Sequence, residues 1–275
     1  MTISTIYSRR AFGAMMLGTT AACATVPVSN PEVPEPIQFM DGYGPTFDSG
    51  YNLPGIPPEF TQGANRRMTG RYLGEAPLNS IDVDPYAKFL YHVLGDGTAV
   101  RYPVGVGRAG KSFSGNGVIQ LKKKWPGWTP TANMLRSEPD VYGPFARGIP
   151  GGLRSPLGAA ALYLYRNGRD TYYRIHGTND LVSIGNSGSA GCIRMFNQDI
   201  LHLYDAVPTG VRVHVRSEAE SLRVDPENYL RGIELPAKHI DPDAVYGAEA
   251  IANDRPPYFD AVDPATLDQV AVFQE

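Results

Sequence analysis

Between Thr69 and Arg216 the chain is written in short stretches of alternating hydrophobicity, and the break that constrains the fold most is Gly95-Asp96-Gly97. Asp-Gly supplies the positive φ angles of a tight turn, so Tyr86 to Val93 and Ala99 to Val106 read as two strands of one hairpin. Val118 to Leu121, Ala160 to Tyr165 and Thr171 to His176 read as further strands. Val211, Val213 and Val215 alternate with Arg212, His214 and Arg216 in a closing strand. A short helix capped by Asn197 is expected before Pro208-Thr209-Gly210, because Ile200, Leu203, Tyr204 and Val207 recur at helical spacing. The pattern predicts a mainly β fold, a β-rich sandwich or roll with a few short helices.

Prolines and charge mark the remaining boundaries. Ser8-Arg9-Arg10-Ala11-Phe12-Gly13 and the mostly apolar run Ala14 to Ala22 have the order of an export signal with twin arginines, assigned to residues 1–24. Ala22-Cys23-Ala24 fits a cleavage site, while Thr20-Ala21-Ala22-Cys23 partly resembles a lipobox, so simple cleavage and membrane anchoring through a lipidated Cys23 both stand. Eight prolines from Pro27 to Pro58 make residues 25–68 an expected extended tether. Residues 69–216 form the expected compact domain, and 217–275 an acidic extension with anchor points at Tyr229-Leu230, Val245-Tyr246 and Tyr258-Phe259.

The net charge of −3 argues against bulk attraction to nucleic acid. It is divided unevenly: 13 acidic and 4 basic side chains follow residue 216, which leaves the rest of the chain about +6. Lys122-Lys123-Lys124-Trp125-Pro126-Gly127-Trp128 reads either as a sugar-stacking loop or as a solvated edge. His92, His202, His214 and His239 lack partners at metal-ligand spacing, so neither a metal site nor a cofactor is expected. With Cys23 removed or lipidated, Cys192 is the only free thiol of an exported protein.

The chemistry gathers around that thiol. His176-Gly177-Thr178 is followed by Ser189-Ala190-Gly191-Cys192-Ile193-Arg194, offering a base, a nucleophile set among small residues and a guanidinium two places on. A thiol with a free pKa of about 8.5 is mostly protonated at neutrality, so it needs an adjacent base or cation. Small residues before it leave backbone N–H groups open as an oxyanion hole. The period of two places Tyr172, Arg174 and His176 on one face of their strand and Tyr173 and Ile175 on the other.

Ile175-His176-Gly177-Thr178, Ile184-Gly185, Ser189-Ala190-Gly191-Cys192-Ile193-Arg194-Met195 and Gly210-Val211-Arg212-Val213 together resemble the YkuD (ErfK/YbiS/YcfS/YnhG) family L,D-transpeptidase catalytic domain, from about Asn79 to Arg216. Tyr102-Pro103-Val104-Gly105-Val106-Gly107 and Pro156-Leu157-Gly158 extend the likeness. Ala190 departs from it, standing where many members have His.

The resemblance implies a peptidoglycan L,D-transpeptidase of the periplasm or cell envelope. Cys192 would attack the diamino acid carbonyl of a tetrapeptide stem, expel D-alanine and hand the acyl group to an amine. His176 would be general base and acid, the Gly177 carbonyl would orient it, and the Gly191 N–H would face the oxyanion. Arg194, Ser189, Tyr172 and Arg174 are candidate substrate-binding residues. The partners implied are donor and acceptor stem peptides. An L,D-carboxypeptidase and a non-catalytic peptidoglycan-binding module remain as alternatives.

Overall fold

The computed structural model describes residues 38–107, 113–188, 192–236, 240–254 and 256. In chain order the strands are β1 (Gln38–Phe39), β2 (Thr46–Asp48), β3 (Tyr51–Leu53), β4 (Met68–Arg71), β5 (Ile81–Asp84), β6 (Phe89–Gly95) and β7 (Thr98–Pro103). They continue with β8 (Gly105–Val106), β9 (Gly115–Lys124), β10 (Ala160–Arg166), β11 (Arg169–Thr178), β12 (Ile193–Phe196) and β13 (Arg212–Val215). The helices are short: α1 (Ala132–Ser137), α2 (Pro139–Tyr142), α3 (Asn197–Ala206), α4 (Glu218–Val224), α5 (Pro242–Tyr246) and α6 (Ala248–Asn253). The mainly β expectation is borne out.

Among the described residues, eleven strands form one sheet in the order β1-β4-β7-β6-β5-β13-β9-β10-β11-β12-β8. The β6–β7 hairpin turns at Asp96 and Gly97, whose φ angles of 50° and 72° are the two positive values this tight turn demands. Most neighbours are antiparallel, but β12 runs parallel to β11 and β13 parallel to β5. A parallel neighbour requires a crossover; residues 179–192 connect β11 to β12 in sequence, and β12 is followed by α3. Its Ile200 and Leu203 are fully buried with Ile81, Val83, Leu162, Ile175 and Val213 on one face of the sheet. At roughly 25 cal/mol per Å² of apolar surface, this shared core is the main force holding β11 and β12 in place.

Three local expectations need correction. Residues 38–67 are not an extended tether: Leu53, Ile56 and Phe60 are buried, β1 pairs with β4, and β2 and β3 form their own hairpin. Proline limits regular hydrogen bonding without preventing burial, and the apolar side chains between the prolines take that route. The segment is also tied to α3, since Arg67 donates to Asp199 at 3.0 Å and the Tyr43 hydroxyl donates to the same carboxylate at 3.1 Å.

Asn197 does not cap α3, which has Phe196 at its N-cap. Its carboxamide instead accepts from the Ala159 N–H at 2.9 Å and donates to Asn179 at 3.2 Å. Of the expected anchor Tyr229-Leu230 only the tyrosine holds: its ring stacks on Tyr86 with centroids 6.2 Å apart, whereas Leu230 is 60% exposed. Ile233 and Leu235 exchange backbone hydrogen bonds with Ser187, and Val245 is buried against Phe145 and Ile149. Tyr258-Phe259 lies outside the described residues.

Candidate active site

The site is built where β11 and β12 run side by side. Register pairs His176 with Arg194 on β12 and with Ala161 on β10, while Arg174 pairs with Tyr163. Paired residues share a face, so His176, Arg174 and Arg194 all stand opposite Ile175 and the core. Cys192 immediately precedes β12, which brings the thiol to the same face. His176, Cys192, Arg174 and Arg194 line one cleft of about 890 Å³.

His176 is 6% exposed. Its Nδ1 lies 2.6 Å from the carbonyl oxygen of Gly177. A carbonyl only accepts, so Nδ1 carries the proton and Nε2 keeps its lone pair. Burial pushes the imidazole pKa down to about 4, the Gly177 carbonyl opposes that, and the Arg194 and Arg174 charges add to it. The ring is therefore a neutral base at pH 7.

Cys192 is partly buried and free of any disulfide. Its thiol points to the Tyr172 carbonyl at 3.6 Å. Burial raises the thiol pKa, while the Arg174 main chain and the two guanidiniums work against the rise and Asp170 adds to it. Thiol and imidazole are thus both neutral at rest, and the thiol must lose its proton as it attacks.

Two acids that sequence reasoning did not single out hold the arginines. Asp170 grips Arg174 bidentately at 2.7 and 2.8 Å, and Arg174 also stacks over the Tyr163 ring at 4.2 Å. Asp180 bonds Arg194 at 3.2 Å. Asp170 lies four residues before Arg174, but only a bulged strand turns that spacing into a pair. The bulge centres on Tyr172, whose φ is 63° and whose N–H donates to Asp170 at 2.8 Å. Tyr172 is 72% exposed and lines the cleft mouth.

Glycines give the site its tight packing. A β-carbon on Gly177 or on Gly158 would collide with the Asn197 carboxamide oxygen. Asn197 thus fills the space both glycines leave, directly behind the carbonyl that orients His176.

The lysine run is largely structural. Lys122 donates to the Tyr204 and Val207 carbonyls at the end of α3, and Lys124 and Trp125 both bond Asp48. Trp128 instead lines the cleft, with Met134, Tyr142, Phe145 and Ile240. Ser189 and Gly191 lie outside the described residues. No group of three or more His, Cys, Asp or Glu suited to a metal ion occurs among the described residues.

Residues 79–215 match the family model YkuD, L,D-transpeptidase catalytic domain. The chain belongs to the YkuD family. Its YkuD domain is similar to the probable L,D-transpeptidase YbiS of Escherichia coli K12, 35% identical over 152 residues that cover 54% of this chain and 47% of that one. It is similar also to the probable L,D-transpeptidase ErfK/SrfK of the same strain, 36% identical over 141 residues covering 50% and 44%. The chain thus spans about half the length of the curated relatives it matches. A solved structure described as a probable carnitine operon oxidoreductase from Brucella melitensis is 43% identical, covering 52% of this chain and 88% of that chain, with a TM-score of 0.39. The assignment rests on the YkuD match and the named transpeptidases.

Proposed function

We propose that this YkuD domain is a cysteine-dependent peptidoglycan L,D-transpeptidase acting outside the cytoplasm. The observation that carries the reading is the placement of Cys192 and His176 in one cleft, with the Gly177 carbonyl fixing the imidazole so that Nε2 is the base. His176 takes the thiol proton as Sγ attacks the carbonyl of the diamino acid in a tetrapeptide stem. The negative charge on the former carbonyl oxygen is met by the N–H groups of Gly191 and Cys192. Collapse breaks the bond to D-alanine, whose amine leaves with the proton from His176, and a thioester remains. An acceptor amine then attacks, His176 takes its proton, and Cys192 leaves as the thiolate to be reprotonated.

Arg174 and Arg194 support this reading as guanidiniums that Asp170 and Asp180 fix on the cleft wall, where they can donate to polar groups of the stem. Ser189, three residues before the nucleophile in sequence, is a further proposed substrate contact, and Tyr172 lines the cleft. The apolar side chains of Trp128, Met134, Phe145 and Ile240 favour an amine over water at the thioester, because they limit hydration of the cleft. In this reading residues 1–24 direct export by the twin-arginine route, and Cys23 anchors the protein only if lipidated. No helix among the described residues is long and apolar enough to cross a membrane.

The test is mass spectrometry of disaccharide-tetrapeptide incubated with the wild-type protein and with Cys192→Ala. Cysteine-dependent dimers are expected. Tripeptide without dimers would make the protein a carboxypeptidase, and an unchanged substrate would leave a binding module.

A further inference from the structure

The catalytic cleft has two chemically different walls. Its acidic and basic lining residues, Arg174, Asp180 and Arg194, stand on β11, just after it or on β12, together with His176 and Cys192. The chain between β9 and β10 supplies the other wall, from Gly127 to Leu157, and no acidic or basic side chain is among the residues that line the cleft there. Trp128 gives this wall an aromatic surface, and Thr129, Thr131 and Asn133 give it neutral hydroxyl and amide groups.

Trp128 is held in place from behind. Its main-chain N–H donates to the Ile149 carbonyl at 2.9 Å, and the Ile149 N–H donates back at 2.7 Å. The Phe145 and Tyr142 rings meet the indole at 62° and 55°, each with its centroid 6.3 Å away, so neither stacks parallel on it. The indole N–H and the Asn133 carboxamide bond to no other side chain or carbonyl among the described residues. A fixed indole beside neutral donors and acceptors suits a ligand with an apolar C–H face and a rim of hydroxyl and amide groups. The face of an aromatic ring is its negative side, which attracts polarised C–H bonds. A pyranose bearing an N-acetyl group offers all of these features and no charge to desolvate. An acidic peptide would meet no cation on this wall.

We propose that Trp128, with Thr129, Thr131 and Asn133, forms a subsite for an N-acetylated sugar of the glycan strand that carries the donor stem. The inference rests on the proposed transpeptidase reading for the identity of the polymer. The reacting carbonyl belongs to the third stem residue, so about 10 Å of extended peptide separates it from the sugar. The uncharged wall and the nucleophile border the same cleft of about 890 Å³, so one donor can engage both. Stacking at Trp128 holds the glycan end of the donor while the stem lies along the ionic wall at Cys192. Binding energy realised on the sugar then raises kcat/KM for a glycan-linked stem and leaves a sugar-free stem without that gain.

The test measures kcat/KM for D-alanine release by the full chain from disaccharide-tetrapeptide and from the same tetrapeptide without its sugars. The readout is the ratio of the two, which general damage to the cleft does not move. The wild-type protein is expected to favour the sugar-bearing substrate by about tenfold or more, Trp128→Ala to bring the ratio to within about twofold of unity, and Trp128→Phe to keep it within about threefold of wild type. A wild-type ratio near unity, or a ratio unchanged by Trp128→Ala, overturns the subsite and leaves the proposed reaction standing. If neither substrate releases D-alanine, the proposed reaction falls and the subsite is decided by binding. The Cys192→Ala protein, labelled with ¹⁵N, is titrated with the N-acetylglucosamine tetramer. Its two tryptophans give two indole N–H signals, which Trp128→Ala assigns. A shift of the Trp128 signal supports the subsite, and a Trp128 signal that stays in place overturns it.

Discussion

Nδ1 of His176 lies 2.6 Å from the carbonyl oxygen of Gly177, the next residue in the chain. A main-chain acceptor does here what a carboxylate does in other nucleophilic triads: it selects the tautomer that leaves Nε2 basic. It brings no negative charge, however, and so does little to raise the imidazole pKa against the effect of burial. The site consequently rests with both partners uncharged.

That resting state predicts the acid limb of activity. His176 titrates at about 4, so kcat/KM should hold as pH falls through 6.5 and drop only as pH approaches 4, where Nε2 becomes protonated and stops accepting. A pH profile of D-alanine release checks this, and an acid limb centred near 6.5 would contradict it. Cys192→Ala should abolish release, and His176→Ala should lower it by about 100-fold or more.

The thiol should answer to Asp170. Its charge raises the Cys192 pKa, so Asp170→Asn is expected to lower that pKa and speed alkylation by iodoacetamide at pH 7 by about threefold. Arg174→Gln should act in the opposite direction. Asparagine still offers an oxygen to the Tyr172 N–H, so the bulge survives the first change.

Gly177→Ala should cost about 2 kcal/mol of stability, because the new methyl collides with the Asn197 oxygen and Asn197 is held on two sides. In a domain of this size that is a fall in Tm of about 4–8 °C by circular dichroism. An unchanged Tm would mean that Asn197 moves freely, contrary to its bonds to Ala159 and Asn179.

Val245 secures the acidic extension to the cleft wall, being 1% exposed against Phe145 and Ile149. Val245→Ala should weaken this contact by about 1–3 kcal/mol and raise amide hydrogen exchange across residues 128–149. Exchange unchanged there would separate the extension from the wall it touches.

Asp199 gives stability its own pH dependence. Burial raises its pKa to about 7, with Arg67 and Tyr43 opposing the shift. The folded state therefore holds a proton that the unfolded chain releases above about pH 4. This contribution is complete below that value and is lost as pH climbs through 7. Asp199→Asn should reduce the fall in Tm between pH 5 and 8, measured against the wild-type protein.

Much of this was legible in the sequence because it depends on neighbours. Asp96-Gly97 dictates its turn, and the valines at 211, 213 and 215 dictate the closing strand, through backbone sterics and a period of two. Spacing likewise singled out His176 and Cys192, and the chemistry of a thiol required a base beside it. Local pattern misled where a side chain found a distant use: Asn197 fits a cap by type, yet it fills the space that Gly158 and Gly177 leave.

Tertiary structure alone decided which charges meet. Asp199 with Arg67, Asp48 with Lys124 and Asp180 with Arg194 are made by strands and loops that arrive from different parts of the chain. It also decided that the proline-rich segment packs, since burial of Leu53, Ile56 and Phe60 needs a surface built by later residues. The division is physical. Turns, strand period and nucleophile chemistry are set within a few bonds, whereas burial, pairing of charges and the pKa shifts that follow depend on distances that exist only after the sheet has closed.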